Sequence, residues 1–341
     1  MKKVLVGVSG GVDSSVVAAL LKKEGYEVCG VNLKFWCNGE KNDDDARKIC
    51  NFLEIPYYEG DYSSLFKEKV VNPFINEYLC GRTPNPCVMC NPAVKIFALL
   101  DFADKLGIEY IATGHYAKIL REDGKVYLQQ GENLRKDQSY FLYGVKKEQL
   151  SRLLFPIGGF SKEEVRAMAE EFKIEVSKKP DSQEICFLPD GNYGEFIKNN
   201  CENIPPEGYF VDTEGNPIGI HHGIYNYTVG QRKGLGAFGK PYFVREINAE
   251  KNTITIGDDA LSSELVTENF AFTGDSNFVF PMRAEVKIRS RAPLTPATIT
   301  EYGSGIKITF DTPQRAVTPG QSAVLYSGNT VLGGGIIKSS V

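Results

Sequence analysis

Residues 4–15 read VLVGVSGGVDSS, in which an apolar run is followed by two glycines and then by a segment that predicts a helix. Several backbone N–H groups and the N-terminus of that helix would then surround an anion, as in nucleotide phosphate sites. The common GxxxxGK[ST] loop does not match, because no lysine follows the glycines. Asp13 stands there instead and is suited to holding Mg²⁺ on a departing pyrophosphate. A tight strand-to-helix turn capped by Ser or Asp is the alternative.

The heptapeptide SGGVDSS, residues 9–15, resembles the loop of the PP-loop ATP pyrophosphatases, which adenylate a substrate oxygen and release pyrophosphate. The resemblance implies ATP and Mg²⁺ as cofactors. It places Leu33 beside adenine, although an ordinary core position at a strand end would explain this residue as well. Gly114 would let the backbone come close to the nucleotide. The ATP contacts implied are Gly7, Val8, Ser9, Gly10, Gly11, Val12, Asp13, Ser14, Leu33 and Gly114.

The pattern along the chain predicts three units. From Lys3 to about Val176, short apolar runs alternate with helical segments, which indicates a parallel sheet with helices on both faces and ligands at the strand ends. From Tyr193 to about Ile256 we expect a small irregular or mostly β module. After about Leu265, β-branched alternation between Pro and Gly turns predicts a closed antiparallel barrel. The predicted domain limits are 1–192, 193–262 and 263–341.

The composition is typical of a soluble globular protein, with 42% hydrophobic and 24% charged residues. No apolar run approaches the ~20 residues that span a bilayer, and the first apolar run is too short for a signal peptide. We therefore expect a cytoplasmic protein with no membrane partner. Its eight cysteines are expected to be reduced, catalytic or metal-binding rather than paired in structural disulfides. A net charge of −4 requires that any polyanion be held by local basic patches.

A proline-stiffened loop, residues 83–91 (TPNPCVMCN), carries a CxxC pair just before a predicted helix. Because a helix N-terminus lowers the pKa of a thiol, Cys90 is a candidate thiolate nucleophile. Half of a structural zinc site is the alternative, although the usual second pair of ligands is absent from the sequence. Cys186, between Ile185 and Phe187, would by itself be interpreted as a buried, inert cysteine.

A series of ordered motifs changes that interpretation of the cysteines. Together the motifs resemble the tRNA-specific 2-thiouridylase family over nearly the full length of the chain. The motifs are GRTPNPC..CN (81–91), ATGHYAK (112–118), KDQSYFL (136–142), LFPIGGFSKEEVR (154–166), DSQEICF (181–187), YTVGQRKGLG (227–236), PGQSAVLY (319–326) and LGGGII (332–337).

The resemblance implies a fold, a reaction and partners. The fold is a PP-loop parallel-sheet domain of the adenine nucleotide alpha hydrolase-like type, followed by a small central domain and a C-terminal β-barrel. The activity is that of a sulfurtransferase that replaces O2 of the wobble uridine (U34) of certain tRNAs by sulfur. The partners are the anticodon stem-loop of tRNA, from which the uridine is extruded, and a persulfide or sulfide donor protein.

In the implied reaction, ATP adenylates O2, a persulfide on Cys186 attacks C2, and Cys90 then attacks the persulfide linkage. A transient disulfide between these two cysteines is expected. Cys87 departs from the family, since aspartate stands there in most members. With Cys90 and Cys186 it offers three ligands for a [4Fe–4S] cluster whose open iron would bind sulfide, which is the alternative to the persulfide relay. Cys87 could equally be a spare thiol beside the site.

Several residues are expected to contact tRNA. The resemblance places His115 near the reacting base, and a core histidine with a backbone partner is the alternative. Lys136 could meet phosphate and Gln138 a base or ribose, unless they begin a solvated helix. The loop 231–236 and the predicted strand 287–291 are basic and could bind phosphate or only face solvent. The tRNA contacts implied are Asn85, Pro86, Cys87, His115, Lys136, Asp137, Gln138, Arg289, Ser290 and Gln321.

Two other functions fit parts of the sequence. Another PP-loop ATP pyrophosphatase, such as a C–N-forming synthetase or a lysine-adding tRNA enzyme, would share the loop 9–15 but would not need Cys90 and Cys186. An RNA-binding module with a vestigial nucleotide fold would need no catalytic role for Asp13. The cysteines therefore distinguish the first alternative from thiolation, and pyrophosphate release distinguishes the second.

Overall fold

A computed structural model describes residues 2–36, 43–174, 185–188 and 190–340. Residues 181–184, the first part of the DSQEICF motif, lie outside the described residues, whereas Cys186 lies within them. The helices are α1 Val12–Lys23, α2 Asp43–Phe52, α3 Ser63–Phe66, α4 Asn72–Leu79, α5 Pro86–Cys90, α6 Ile96–Lys105, α7 Lys147–Arg152, α8 Lys162–Glu171 and α9 Tyr193–Asn200. Two π-helical turns lie at Lys67–Val71 and Asn91–Lys95, and 3₁₀ turns lie at Ser139–Leu142 and Ile224–Asn226.

The strands form three sheets. They are β1 Lys3–Gly7, β2 Glu27–Lys34, β3 Tyr57–Asp61, β4 Tyr110–Ala112, β5 Ala117–Glu122, β6 Lys125–Gln130, β7 Leu153–Leu154, β8 Gly208–Val211, β9 Pro217–His221, β10 Phe243–Asn248, β11 Thr253–Gly257, β12 Leu261–Phe272, β13 Met282–Lys287, β14 Thr295–Tyr302, β15 Gly305–Arg315, β16 Ser322–Ser327 and β17 Thr330–Ser340.

The first sheet is parallel and has the strand order β3-β2-β1-β4-β7. Its central strand β1 is buried on both faces. Val4 and Val6 pack in one core cluster with residues of α1 and α8, whereas Leu5 packs in a second cluster with residues of α6. A strand covered on both faces needs a continuous apolar run, and residues 4–6 supply it. The predicted parallel sheet with helices on both faces is confirmed.

The central unit is mostly β, as predicted. Its four strands have the order β10-β11-β8-β9, in which β11 is parallel to β8 and the other pairs are antiparallel. Its core contains the fully buried side chains of Val244 and Ile254, with Phe210 packed beside them.

The C-terminal strands form a closed barrel. The order β12-β15-β14-β13-β16-β17 is completed by pairing of β12 with β17, so the predicted closed antiparallel barrel is confirmed.

Two details of the barrel differ from expectation. β13 ends at Lys287, so residues 287–291 do not form the predicted basic strand. β12 begins at Leu261, so the predicted limit between residues 262 and 263 falls inside a strand. The hairpin β5–β6 joins the edge of the barrel through the pairing of Thr330 with Gln129.

One helical stretch, Pro86–Lys105, is long and apolar enough to cross a membrane by length and composition. Half of it is buried inside the molecule, and residues such as Ile96 and Leu99 pack under the first sheet. These contacts are those of a core helix. The stretch is also interrupted by Asn91, Lys95 and Asp101, so it is not a continuous apolar run.

Candidate active site

The loop between β1 and α1, residues 7–14, is the phosphate loop. Gly11 is the N-cap of α1 and has an extended backbone, and within the described part of the chain no side chain caps this helix. The hydroxyls of Ser14 and Ser15 donate to the Gly11 carbonyl oxygen at 3.2 and 2.7 Å, and these hydrogen bonds stabilise the turn. The Ser or Asp cap weighed as the alternative is therefore not found, and the first N–H groups of α1 remain available to an anion.

Gly114 lies against the phosphate loop at the carboxyl end of β4. A Cβ at this position would stand 3.0 Å from the Cβ of Asp13 and 3.1 Å from the backbone nitrogen of Ser14. Such distances leave no room for a side chain, which explains the glycine. Leu33, at the end of β2, is half-buried against the core cluster around α6. The ATP contacts of both residues remain predictions.

Lys162, a residue that the sequence reasoning missed, contacts the phosphate loop. Its ammonium lies 2.7 and 2.9 Å from the two carboxylate oxygens of Asp13, and its side chain is only 8% exposed. The Tyr116 hydroxyl donates to the same carboxylate at 2.8 Å. A buried ammonium thus stands beside the loop that lacks a lysine of its own. It comes from a helix 149 residues further along the chain.

A capping box places Lys162 at the first position of α8. The Ser161 hydroxyl accepts a hydrogen bond from the Glu164 N–H at 3.2 Å, and the Glu164 carboxylate accepts one from the Ser161 N–H at 2.7 Å. The SKEE sequence is a visible signal for the start of this helix, but it says nothing about which partner Lys162 meets. Since Asp13 already accepts from Lys162 and Tyr116, its role as a Mg²⁺ ligand remains a prediction.

The cysteine loop, residues 83–91, leads into the long helix that begins at Pro86. Asn85 is the N-cap of α5, and its side-chain oxygen accepts a hydrogen bond from the Cys87 N–H at 3.2 Å. Cys87 and Cys186 are exposed, whereas Cys90 is buried. The seven cysteines that the structure describes are all free thiols. Cys186 is thus not the buried, inert cysteine of the alternative interpretation.

Cys90 does not have the lowered pKa that its place near a helix start suggested. Burial raises the pKa of Cys90 to about 11, and the nearby Lys95 ammonium lowers it only in part. Burial also raises the pKa of Cys87 and of Cys186, because protein surrounds much of each thiol although part of its surface meets solvent. The prediction fails because burial outweighs the effect of the helix start, and Cys90 is the fifth residue of its helix, beyond the first turn in which the helix N-terminus acts.

The three thiols lie close enough to influence one another. The Cys186 and Cys87 thiols both raise the pKa of Cys90, and the Cys87 thiol raises the pKa of Cys186. The charge of Lys95 acts on all three thiols and also on His115. The two cysteines that the relay requires therefore share one electrostatic neighbourhood, in which Lys95 is the common cation.

The same three thiols are the candidate ligands of the [4Fe–4S] cluster. Within residues 2–36, 43–174, 185–188 and 190–340, no group of three or more His, Cys, Asp or Glu side chains is placed to hold a metal ion. A [4Fe–4S] cluster on Cys87, Cys90 and Cys186 remains a prediction, and so does the zinc alternative for the CxxC pair.

His115 is buried and neutral. Its Nδ1 lies 2.7 Å from the Thr113 hydroxyl, and the Phe155 ring meets it edge-on at 5.8 Å. Burial first, and the Lys95 charge second, hold the pKa of His115 well below its usual value. The partner of its ring is a hydroxyl rather than the backbone group that the core-histidine alternative assumed. Its contact with tRNA remains a prediction.

The KDQ segment is divided between surface and interior. Lys136 is exposed, and the Gln138 side-chain oxygen accepts from the Tyr116 N–H at 3.0 Å. Asp137 has a fully buried side chain that accepts from the N–H and hydroxyl of Ser139 and lies 3.6 Å from the Lys287 ammonium. The Asp137 carboxylate is thus enclosed by internal partners, and its contact with tRNA remains a prediction.

Other predicted RNA contacts are also turned inward. Pro86 is buried, and Arg289 donates to the Val229 carbonyl oxygen at 3.1 Å and to the Thr318 hydroxyl. The Gln321 amide donates to the Thr83 carbonyl oxygen at 2.8 Å. Ser290 lies half-buried in a turn. Pro86 and Arg289 thus make contacts within the protein, and the tRNA contacts implied for these residues remain predictions.

Comparison with known proteins covers the whole chain. Residues 2–190 match the family model "tRNA methyl transferase HUP domain", residues 194–258 match "tRNA methyl transferase PRC-barrel domain", and residues 262–337 match "Aminomethyltransferase beta-barrel domain". The tRNA-specific 2-thiouridylase MnmA of Acetivibrio thermocellus is 49% identical, with 99% of each chain covered. The protein of the same name from Clostridioides difficile is 46% identical, with 100% of this chain and 99% of its own covered.

A solved structure, a 4-thiouridine synthetase–RNA complex with bound ATP, is 18% identical with a TM-score of 0.38. The likeness covers 58% of this chain and 50% of that one, and it is too low to bear on function.

Proposed function

Because the chain belongs to the tRNA-specific 2-thiouridylase family, we propose that it is a sulfurtransferase that uses ATP to replace O2 of the wobble uridine of tRNA by sulfur. The description of two matching family models contains the words methyl transferase. The relatives that match over the full length are named thiouridylases, and the thiols of this chain suit sulfur transfer.

The observation that carries the proposal is that the phosphate loop and the thiols are linked through the neighbouring residues Gly114 and His115. Gly114 lies next to the loop, since a Cβ there would stand 3.0 Å from the Asp13 Cβ. The charge of Lys95 acts on the next residue, His115, and also on Cys90 and Cys186. A nucleotide on the loop and a base near His115 would therefore lie beside the two thiols. Activation and sulfur transfer can take place in one site without release of an intermediate.

In the activation step, the uncapped N-terminus of α1 binds phosphate oxygens through its free N–H groups. When bound, ATP supplies the adenylyl group that turns O2 into a leaving group. Asp13 is the candidate ligand for Mg²⁺, and Lys162 is the candidate cation for the negative charge that remains once the metal engages Asp13. Neutral His115 can donate or accept one hydrogen bond at the base without adding charge.

In the transfer step, the terminal sulfur of a Cys186 persulfide attacks C2 of the adenylated uridine, and AMP leaves with the O2 atom. The Cys90 thiolate then attacks the Cys186 sulfur. This step forms a disulfide between Cys90 and Cys186 and leaves sulfur on C2. A persulfide donor loads Cys186, and an external thiol reduces the disulfide before the next cycle.

Three further statements belong to the proposal. We place the domain limits at 1–192, 193–260 and 261–341, because β12 of the barrel begins at Leu261, and we place the enzyme in the cytoplasm. Exposed Lys136 and the exposed Arg232 and Lys233 supply phosphate contacts to the anticodon stem-loop. The donor protein delivers a persulfide to Cys186, whose side chain meets solvent.

Mass spectrometry of tRNA nucleosides tests the proposal. Unmodified tRNA is incubated with the protein, ATP, Mg²⁺ and a persulfide donor, and 2-thiouridine at the wobble position is the expected product. Cys90→Ser and Cys186→Ser should each abolish the product while tRNA-dependent pyrophosphate release continues. Cys80→Ser, which removes another exposed thiol, is the matched control and should remain active.

The outcome also separates the alternatives. Pyrophosphate release without formation of 2-thiouridine, unaffected by either cysteine substitution, would indicate a C–N-forming ATP pyrophosphatase. Absence of pyrophosphate release with every tRNA would indicate an RNA-binding module.

A further inference from the structure

The start of the cysteine loop is held by residues of two other sheets. The Thr83 N–H donates to the Pro319 carbonyl oxygen at 2.8 Å, and the Thr83 carbonyl oxygen accepts from the Gln321 amide at 2.8 Å. The Thr83 hydroxyl lies 3.0 Å from that of Thr228 in the central unit. Both backbone polar groups and the side chain of one residue are thus bound from outside the first domain.

The barrel turn, residues 318–321, fits closely against this residue. Gly320 has a φ of +91°, and a Cβ there would stand 2.8 Å from the Thr83 nitrogen and 2.9 Å from its carbonyl carbon. A side chain at this position would therefore meet backbone atoms, which cannot rotate away. The glycine is required by the contact as well as by the backbone conformation.

The barrel turn is itself rigidly attached to the barrel. The Gly320 N–H donates to the Ile337 carbonyl oxygen at 2.9 Å, and the Ile337 N–H donates to the Gln321 carbonyl oxygen at 2.8 Å. The Thr318 hydroxyl is bound by Arg289, which also donates to Val229 of the central unit. These bonds connect the turn to strand β17 and to the neighbouring unit, so the turn can act as a support.

A second contact lies next to Thr83. The Arg82 guanidinium binds Glu77 of α4 at 2.7 Å and Glu268 of β12 at 2.6 Å, with side chains that are 20–31% exposed. Charge-assisted bonds in this partly buried setting are stronger than ordinary surface pairs. The chain is thereby fixed to the barrel at two consecutive residues, just before the CxxC pair.

We propose that the barrel turn is a positioning element for sulfur transfer, and that Gln321 acts on the reacting thiols through Thr83. Thr83 lies two residues before Asn85, whose side chain fixes the Cys87 N–H and begins the helix that carries Cys90. A shift of Thr83 is therefore transmitted to both thiols of the CxxC pair. In this conformation the Gln321 amide, for which the family resemblance implies a tRNA contact, is bound to the Thr83 carbonyl oxygen instead.

The proposal rests on the proposed function for its kinetic consequence, but its main test does not require thiolation. Gln321→Ala removes the amide donor, and Gly320→Ala introduces a Cβ against the Thr83 backbone. The readout is the alkylation rate of Cys90 by iodoacetamide, measured by peptide mass spectrometry without tRNA or ATP. Both variants should alkylate Cys90 about fivefold faster, the factor that one net hydrogen bond typically carries.

Matched controls separate local release from unfolding. Gly328→Ala introduces the same methyl at a barrel glycine with φ +54° and no neighbour within 4 Å, and it should leave the Cys90 rate unchanged. Cys50 is fully buried in the first core cluster and reports global opening in the same sample. The expected pattern is a faster Cys90 with an unchanged Cys50. If Gly320→Ala also exposes Cys50, Gln321→Ala decides the question.

A second readout distinguishes positioning from RNA contact. A positioning role predicts a lower kcat of thiolation for Gln321→Ala, with little change in the Kd for tRNA and unchanged pyrophosphate release. If the Cys90 alkylation rate stays at the wild-type value while tRNA affinity falls, Gln321 is an RNA contact only and the proposal is overturned. Absence of thiolation in the unaltered protein would instead count against the proposed function and leave the alkylation result interpretable.

Discussion

The phosphate loop and the cysteine loop are held in different ways. The phosphate loop is fixed within the first domain, where Gly114 fits against Asp13 and Lys162 binds its carboxylate. The cysteine loop is fixed from outside, because Thr83 receives its hydrogen bonds from the barrel and the central unit. The comparison predicts that ATP activation depends on the packing of one domain, whereas sulfur transfer depends on the contacts among three.

Removing the Lys162 charge should have the largest effect on activity. It should affect the phosphate loop and not the cysteine loop. Lys162→Met keeps most of the side-chain volume but leaves the charge of Asp13 and of the phosphates unopposed. We expect tRNA-dependent pyrophosphate release to fall about 100-fold, as when one preorganised electrostatic group is removed from an active site. Single-turnover measurement of pyrophosphate checks the prediction.

Lys198→Met, on the exposed side of α9, is the control and should be as active as the unaltered protein. Cys90 alkylation should be the same in all three proteins. A change in Cys90 reactivity on loss of Lys162 would show that the two loops are not held independently.

The pH dependence of Cys90 tests the electrostatics of the cysteine loop. The pKa of Cys90 is raised to about 11, so the thiol is neutral at pH 7 and its thiolate fraction grows as pH increases. Alkylation should therefore accelerate about tenfold per pH unit from pH 7 to 10, without a plateau near the ordinary thiol value of about 8.5. Rates of iodoacetamide labelling across this range provide the measurement.

Lys95→Met should slow Cys90 labelling at pH 8 several-fold, because the ammonium that partly lowers the pKa is removed. Lys95→Arg keeps the charge and should restore most of the rate. A plateau below pH 8 in the unaltered protein would show that the thiolate is already stabilised before tRNA binds.

The difference between the two loops also explains how far the sequence could lead. Residues 9–15 predict the phosphate loop because its geometry is local, made by glycines and a helix start next to each other in the chain. The alternation before residue 176 and the β-branched runs after residue 265 likewise predict the sheet and the barrel from local periodicity. Family resemblance then supplied Cys90 and Cys186 as a pair.

Long-range contacts between polar groups were beyond such reasoning. Lys162 reaches Asp13 across 149 residues, and nothing in the SKEE motif indicates that partner. Asp137 was expected at the RNA surface, but its carboxylate is enclosed by β6, the following turn and Lys287 of the barrel. The pKa of Cys90 was predicted in the wrong direction because sequence shows the helix start but not the burial that outweighs it.

Gly114→Ala should destabilise the phosphate loop, with a smaller effect than the loss of the Lys162 charge. The added methyl would press on the Cβ of Asp13 and the backbone of Ser14, and overpacking of this kind typically costs about 1–3 kcal/mol. We expect a lower melting temperature and a higher KM for ATP, measured by calorimetry and by pyrophosphate release. Gly159→Ala, where a Cβ meets nothing within 4 Å, is the control. Equal effects of the two substitutions would contradict the close fit at Gly114.

The smallest predicted effect on stability is the most specific to the cysteine loop. Asn85→Ala removes the N-cap that binds the Cys87 N–H. Asn192→Ala removes the corresponding N-cap of α9, where the Asn192 side chain accepts a hydrogen bond from the Glu195 N–H at 3.1 Å. Each substitution should cost about 1 kcal/mol in the free energy of unfolding, measured by denaturant titration. Only Asn85→Ala should also lower the rate of thiolation, because only that cap orients the thiols. Equal thiolation rates in the two variants would mean that the helix start does not position Cys90. The contacts at Thr83 would then have no effect on the reacting thiols.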